Sequence, residues 1–119
     1  MKTEAQKMGR RAESFAVRYL KKQGFAIMAR NYCYKRAEVD IIVRKRRLLV
    51  FVEVKTRSSN YFGHPEDAVD EQKQDFMKTA AEEYLHRNSQ YEQVRFDIIS
   101  ITLQKNAEYE LVHFEDAFF

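Results

Sequence analysis

Asp40, Glu53 and Lys55 are the residues of this chain whose types and spacing could do chemistry. Asp40 lies in AEVDIIV, and Glu53 and Lys55 lie in FVEVKTR. Side chains alternate along a strand, so Glu53 and Lys55 share a face about 6.6 Å apart. Glu38, Asp40 and Ile42 share one face of the preceding strand in the same way. A hairpin register that sets Asp40 opposite Glu53 brings their Cβ atoms to about 5 Å, close enough for two carboxylates to grip one hard divalent cation. A slip of one residue separates them onto opposite faces. Phe51 shares the face of Glu53, so the carboxylate follows an apolar position. A charge there needs a partner, because desolvating it alone costs several kcal/mol. A metal ion would supply one, lowering the pKa of a bound water and neutralising charge on a phosphate, with Lys55 beside that water. The competing reading of the E-x-K triplet is a Glu–Lys ion pair at a solvated strand end.

These residues need strands to carry them and helices to cover the strands. The periodicity predicts a first helix over residues 4–23, with Met8, Ala12, Phe15, Ala16, Tyr19 and Leu20 forming its apolar stripe and Gly24 stopping it. Glu13 falls in line with Gly9, Ala16, Val17 and Leu20 and borders that stripe. It is either a boundary residue reaching water or a third carboxylate aimed at the site. Strands are expected at Phe25–Ala29, Ala37–Val43, Leu48–Thr56, Val94–Leu103 and Tyr109–Phe114. LLVFVEVKT is apolar on both faces through its first half, as expected of a central strand covered by helices. Arg44, Lys45, Arg46 and Arg47 form a basic hairpin connection. A loop over residues 57–64 leads into a helix from Pro65 to Arg87, acidic early and basic late in accord with the helix dipole.

Length and composition bound the rest. A chain of 119 residues with an apolar fraction of 45% is a single domain, 1–119, with enough apolar surface for a core. It has no run of about 18 apolar residues and no secretory signal pattern, so no membrane partner is expected. One cysteine, Cys33, cannot staple the fold, which points to the cytoplasm. One Cys and three scattered His do not make a zinc site. The net charge of +3 is unevenly spread: residues 1–57 hold 16 Lys and Arg against 5 Asp and Glu, and residues 58–119 hold 5 against 13. Either the basic half presents a face to a polyanion, or the two halves pair with each other.

The string Gly9, Glu13, Ala16, Tyr19-Leu20, Gly24, Arg30-Asn31-Tyr32, AEVDIIV, FVEVKTR, Phe62-Gly63, Lys73 and Arg95-Phe96-Asp97 resembles the YraN-like family. That family belongs to the restriction-endonuclease-like PD-(D/E)xK superfamily and is similar to the archaeal Holliday junction resolvases. The resemblance implies an α/β fold, a mixed β-sheet flanked by helices with an αβββαβ core. It implies a metal-dependent endonuclease hydrolysing DNA phosphodiester bonds, with Mg²⁺ or Mn²⁺ as cofactor and branched or junction DNA among its substrates. Glu13, Asp40 and Glu53 with the Val54 carbonyl would hold the ion, and Lys55 would position the water. A two-fold homodimer would suit a junction, since symmetric cuts need two sites. Ala12 and Ala37 stand where the family commonly carries glycine. The alternative function is a non-catalytic nucleic-acid-binding or assembly module that keeps the nuclease fold.

For the basic residues Arg10, Arg11, Arg44, Lys45, Arg46, Arg47, Arg57 and Lys73 the expected role is contact with DNA phosphates, set against plain solvation for the hairpin. Gln72, next to Lys73, is expected to face the site. Arg95 and Asp97 most simply pair with neighbours along a strand face, His64 is expected to be a loop residue, with a substrate contact as the alternative, and Cys33 is expected to be packed. The aromatic C-terminus (Phe114, Phe118, Phe119) either docks on the core or joins a dimer contact.

Overall fold

The computed structural model describes residues 1–58, 69–104, 106 and 108–119, with the side chains of Ala5 and Ser58 outside that description. The element order is α1 (Glu4–Lys22), β1 (Ala26–Tyr34), β2 (Ala37–Lys45), β3 (Leu48–Ser58), α2 (Glu71–Arg87), β4 (Gln93–Leu103) and β5 (Tyr109–Phe114). The five strands form one mixed sheet in the order β1-β2-β3-β4-β5. β3 and β4 pair in parallel, joined by the α2 crossover, and the other pairs are antiparallel. This is the expected mixed α+β architecture, consistent with an αβββαβ core.

Local chemistry explains the ends of the elements. Thr3 caps α1 in a capping box with Gln6. Gly24, at φ 94°, closes it, with the Gly24 N–H donating to Lys21 O and the Phe25 N–H donating to Leu20 O. That pair of bonds is a Schellman motif, and its left-handed position suits glycine. Asp70 caps α2 by accepting from the Lys73 N–H. α2 therefore starts at Glu71 and not near Pro65, since Val69 and Asp70 precede it; the expected features at residues 59–68 lie outside the described residues. β1 runs through Tyr34, well past the expected Ala29. β2 continues through Lys45, which leaves a two-residue turn, Arg46-Arg47, with Arg46 at φ 56°.

The sheet is buried on both sides, which is why β3 reads as apolar on both faces. On one side α2 packs Met77, Ala80, Ala81 and Tyr84 against Leu49, Phe51, Phe96 and Ile98. On the other, α1 packs Ala12, Ala16, Val17 and Leu20 against Ile41, Val43, Val50, Val52, Ile99 and Ile101. Each large side chain wholly withdrawn from water contributes about 1.5–3 kcal/mol. The C-terminus docks on the α2-side core: Phe118 is buried and stacks on Phe96 with ring centroids 5.6 Å apart. Ala12 and Ala37 are both buried, and Ala37 is not among the residues with positive φ, so replacing glycine there requires no strained backbone. Cys33 is exposed, contrary to the expectation that it packs, because β1 is an edge strand.

Candidate active site

The β2–β3 ladder realises the register that the chemistry required. Ile41 pairs with Val52, Ile42 with Phe51 and Val43 with Val50, a register that, continued one step, points Asp40 toward Glu53. The ladder stops at Ile41, and the Asp40 carboxylate fills the next position: the Val54 N–H donates to Asp40 Oδ2 at 2.8 Å. Asp40 therefore sits in the seam between β2 and β3. Val54, expected to lend its carbonyl to an ion, has its N–H held by Asp40.

Glu53 lies at the end of the buried run of β3 and is only 4% exposed. Lys73 Nζ, from the first turn of α2, lies 3.4 Å from Glu53 Oε2, and Lys55 Nζ lies 3.9 Å from Oε1. Lys73 Nζ also donates to the Glu38 carbonyl at 3.3 Å. Glu53 Oε2 is buried and accepts no hydrogen bond. Burial first, and then the charge of Asp40, push the Glu53 carboxyl up to about 8; Lys73 and Lys55 pull the other way, and a hydrogen bond shared with Asp40 adds to the rise.

Glu13 approaches from α1, on the other side of the sheet. Its Oε1 is buried without a hydrogen bond and lies 3.9 Å from Arg30 Nη2. Burial and the Asp40 charge raise its carboxyl above the usual range, against the pull of Arg30 and a hydrogen bond from Asn31. A cavity of about 460 Å³ lined by Arg10, Glu13, Ser14, Arg30 and Asn31 opens beside it. Among the described residues, no three His, Cys, Asp or Glu side chains gather into a group that could hold a metal. The convergence is of two carboxylates, Asp40 and Glu53, with Glu13 electrostatically coupled at the border.

The basic residues divide. Lys73 stands at Glu53, a partner that its place in a helix sixteen residues beyond the Lys55-Thr56-Arg57 segment did not reveal. Arg10 lines the cavity by Glu13, Arg11 is exposed, and Arg57 is half-buried on β3 two residues past Lys55. Arg44, Lys45, Arg46 and Arg47 lie at the turn end of the hairpin: Arg44 pairs with Leu49, four residues and about 13 Å along the strand from Glu53, and Arg47 is six residues and about 20 Å away. Lys45 Nζ sits 4.3 Å over the Phe25 ring, and Arg47 pairs with Glu92 at 3.3 Å. Gln72 is exposed on α2. Arg95 and Asp97 pair with each other, through Arg95 Nε to Asp97 Oδ1 at 2.8 Å and Nη2 to Oδ2 at 2.9 Å.

Comparison with known proteins places this constellation in a family. A UPF0102 protein of Flavobacterium psychrophilum is 41% identical over 112 residues, covering 94% of this chain and 93% of its own length. A UPF0102 protein of Solibacter usitatus is 47% identical over 105 residues, covering 86% of this chain and 80% of its own. One from Dictyoglomus thermophilum is 44% identical over 102 residues, covering 85% and 86%. The profile described as "Uncharacterised protein family UPF0102" matches residues 12–101, a span that contains Glu13, Asp40, Glu53, Lys55 and Lys73, and the chain belongs to that family.

Proposed function

We propose that the chain is a metal-dependent endonuclease that hydrolyses DNA phosphodiester bonds. The observation that carries this reading is Glu53: a carboxylate 4% exposed, with an unbonded buried oxygen, beside Asp40 and between two ammonium groups. A buried acid so placed is costly unless it has a task or a cation to meet. Asp40 and Glu53 suit Mg²⁺, which takes one or two protein carboxylates and completes its shell with water and substrate phosphate. When bound, such an ion supplies Lewis acidity at the phosphate and a more acidic water. Asp40 is fixed by the Val54 N–H and so presents its other oxygen in a set direction. Lys55, on the face of Glu53 and less buried than it, is placed to hold a water or a phosphate oxygen at the mouth of the site. Glu13 borders the site and adds negative charge there without closing a three-carboxylate cage.

A cleavage assay on linear, nicked, flapped and four-way DNA with Mg²⁺ or Mn²⁺ tests the reading. The expected result is metal-dependent cutting of at least one branched substrate, lost on adding EDTA. Binding without cutting on every substrate would favour the non-catalytic module, in which Lys73 serves as the standing counter-ion of Glu53.

A further inference from the structure

Asn31 has φ 52°, the left-handed region that side-chain-bearing residues seldom occupy within a strand. It lies where the β1–β2 ladder has a gap: Arg30 pairs with Ile41 and Tyr32 with Val39, but Asn31 and Asp40 do not pair. The packing shows what the gap does. In a regular strand, residues two apart share a face and residues three apart do not. Here Ala29 and Tyr32, three apart, both pack into the α2-side core. On the partner strand Val39 lies in the α2-side core and Ile41 in the α1-side core, although they are two apart. Both strands therefore change face at the same rung, the rung of Asn31 and Asp40.

A chain that changes face at Asp40 cannot leave that side chain standing on either face. The carboxylate instead enters the seam and accepts the Val54 N–H, the donor that the stopped β2–β3 ladder leaves over. Irregularities of this kind re-aim side chains beside functional sites. Asn31 also lines the cavity beside Glu13, so one residue borders the acid on α1 and lies at the ladder gap shared with the acid on β2.

We infer that Asn31 is a positioning residue: its left-handed backbone creates the paired break that turns the Asp40 carboxylate into the β2–β3 seam. The inference rests on the reading of Asp40 as a site residue, and it concerns geometry that exists without metal or DNA. Asparagine suits the position because its short polar side chain tolerates the left-handed region better than most. Glycine tolerates it at least as well, and a β-branched residue does not.

The experiment follows the Val54 amide by ¹⁵N-resolved hydrogen exchange in the full-length, metal-free protein carrying Asn31→Gly, Asn31→Val or Asn31→Ala. Asn31→Gly keeps the backbone and is expected to leave Val54 protected. Asn31→Val is expected to speed exchange at Val54 by about tenfold or more, with the Val43–Val50 rung still protected, because that amide depends on one local bond. Should Asn31→Val fail to fold, Asn31→Ala takes its place against Asn31→Gly with the same expectation. An unchanged Val54 amide in a folded Val or Ala variant overturns the inference. So does loss of protection in Asn31→Gly, which would assign the effect to the side-chain amide. If the Val54 amide responds as expected while the wild type cuts no DNA, the positioning stands and the nuclease reading falls.

Discussion

Glu53 and Lys55, neighbours on one strand face, differ in burial, and the proposed function gives them different tasks. Glu53 is withdrawn from water with its carboxyl raised, whereas Lys55 keeps 31% of its side chain exposed. A group that acts at the substrate and carries little of the fold should separate catalysis from binding when removed. Lys55→Ala is therefore expected to reduce cleavage by at least about a hundredfold while DNA affinity changes only a few fold, because one charge among many phosphate contacts is lost. Single-turnover cleavage and filter binding, run side by side, would expose a failure if both fell together or if neither moved. Glu53 makes a different prediction. Its carboxyl titrates near the usual value of 4.5 in the unfolded chain and at about 8 in the folded one. Between those values the folded state holds a proton that the unfolded state has released. Stability of the metal-free protein should thus fall as pH rises from about 4.5 to about 8, by up to about 1.4 kcal/mol per pH unit from this group. Glu53→Gln should flatten that slope and be the more stable protein at the upper end. Added Mg²⁺, which favours the ionised form, should stabilise the wild type more at pH 8 than at pH 6. Denaturant melts across that pH range check both signs, and parallel curves for the two proteins would refute the account.

At the scale of elements, the basic hairpin turn lies at one end of β2 and β3 and the acidic seam near their middle. The turn Arg46-Arg47 is one of the most basic stretches of the chain, yet Arg47 is engaged by Glu92 and Lys45 covers Phe25. Replacing Arg46 and Arg47 by Ala is expected to leave the slope of log K against log [salt] for DNA within about one of the wild type. A drop of about two, one for each lost phosphate contact, would put the hairpin on the DNA after all. The elements also show what was legible in the sequence and what was not. β3 was readable because only a two-sided covering explains Leu49, Val50, Phe51 and Val52 in succession; side-chain parity named the register that would bring Asp40 to Glu53 but left that register open, and the ladder from Ile41–Val52 to Lys45–Leu48 fixes it. The face change at Asn31 was not readable, since asparagine in ARNYCY has no periodic signature and nothing in that string marks a left-handed backbone. Lys73 was named as a phosphate contact, but its ion pair with Glu53 was not foreseen, for a related reason. Its approach to Glu53 depends on where α2 begins, and that start at Asp70 was masked by a Pro-led acidic segment that resembles a helix N-terminus. The tail of Phe118 and Phe119 offered two docking modes until Phe96 supplied a surface for it.

At the scale of the whole molecule, the basic and acidic halves do not simply neutralise each other. Among the ion pairs of described residues, Arg47–Glu92 and Lys73–Glu53 join the halves, while Lys7–Glu4, Arg30–Glu13, Arg87–Glu83 and Arg95–Asp97 stay within one. What binds the ends of the chain together is a smaller network around Asp97, which is fully buried. Arg95 grips it through two bonds, His113 Nε2 lies 2.7 Å from its Oδ2, and the Asp116 N–H donates to its Oδ1 at 3.0 Å. His113 Nδ1 in turn lies 2.9 Å from the Tyr19 hydroxyl. α1, β4, β5 and the C-terminal residues thus meet at one carboxylate. Burial alone would raise its pKa, but the hydrogen bonds from His113, Arg95 and Asp116, with the Arg95 charge, outweigh burial and hold it below the usual 3.8. A carboxyl depressed in the folded state contributes stability that is present above its unfolded value and is lost as pH falls through its folded value. Asp97→Asn keeps the shape and removes the charge, which leaves Arg95 with its nearest counter-ion gone. The expected cost at pH 7 is about 3–5 kcal/mol, the range for breaking one side of a buried pair. Below about pH 4 the gap between wild type and variant should narrow, because protonation deprives the wild type of the same charge. Thermal melts of both proteins between pH 2.5 and 7 measure this directly. A variant as stable as the wild type at pH 7, or a gap that widens in acid, would show that the ends of the chain are held by the aromatic tail and not by Asp97.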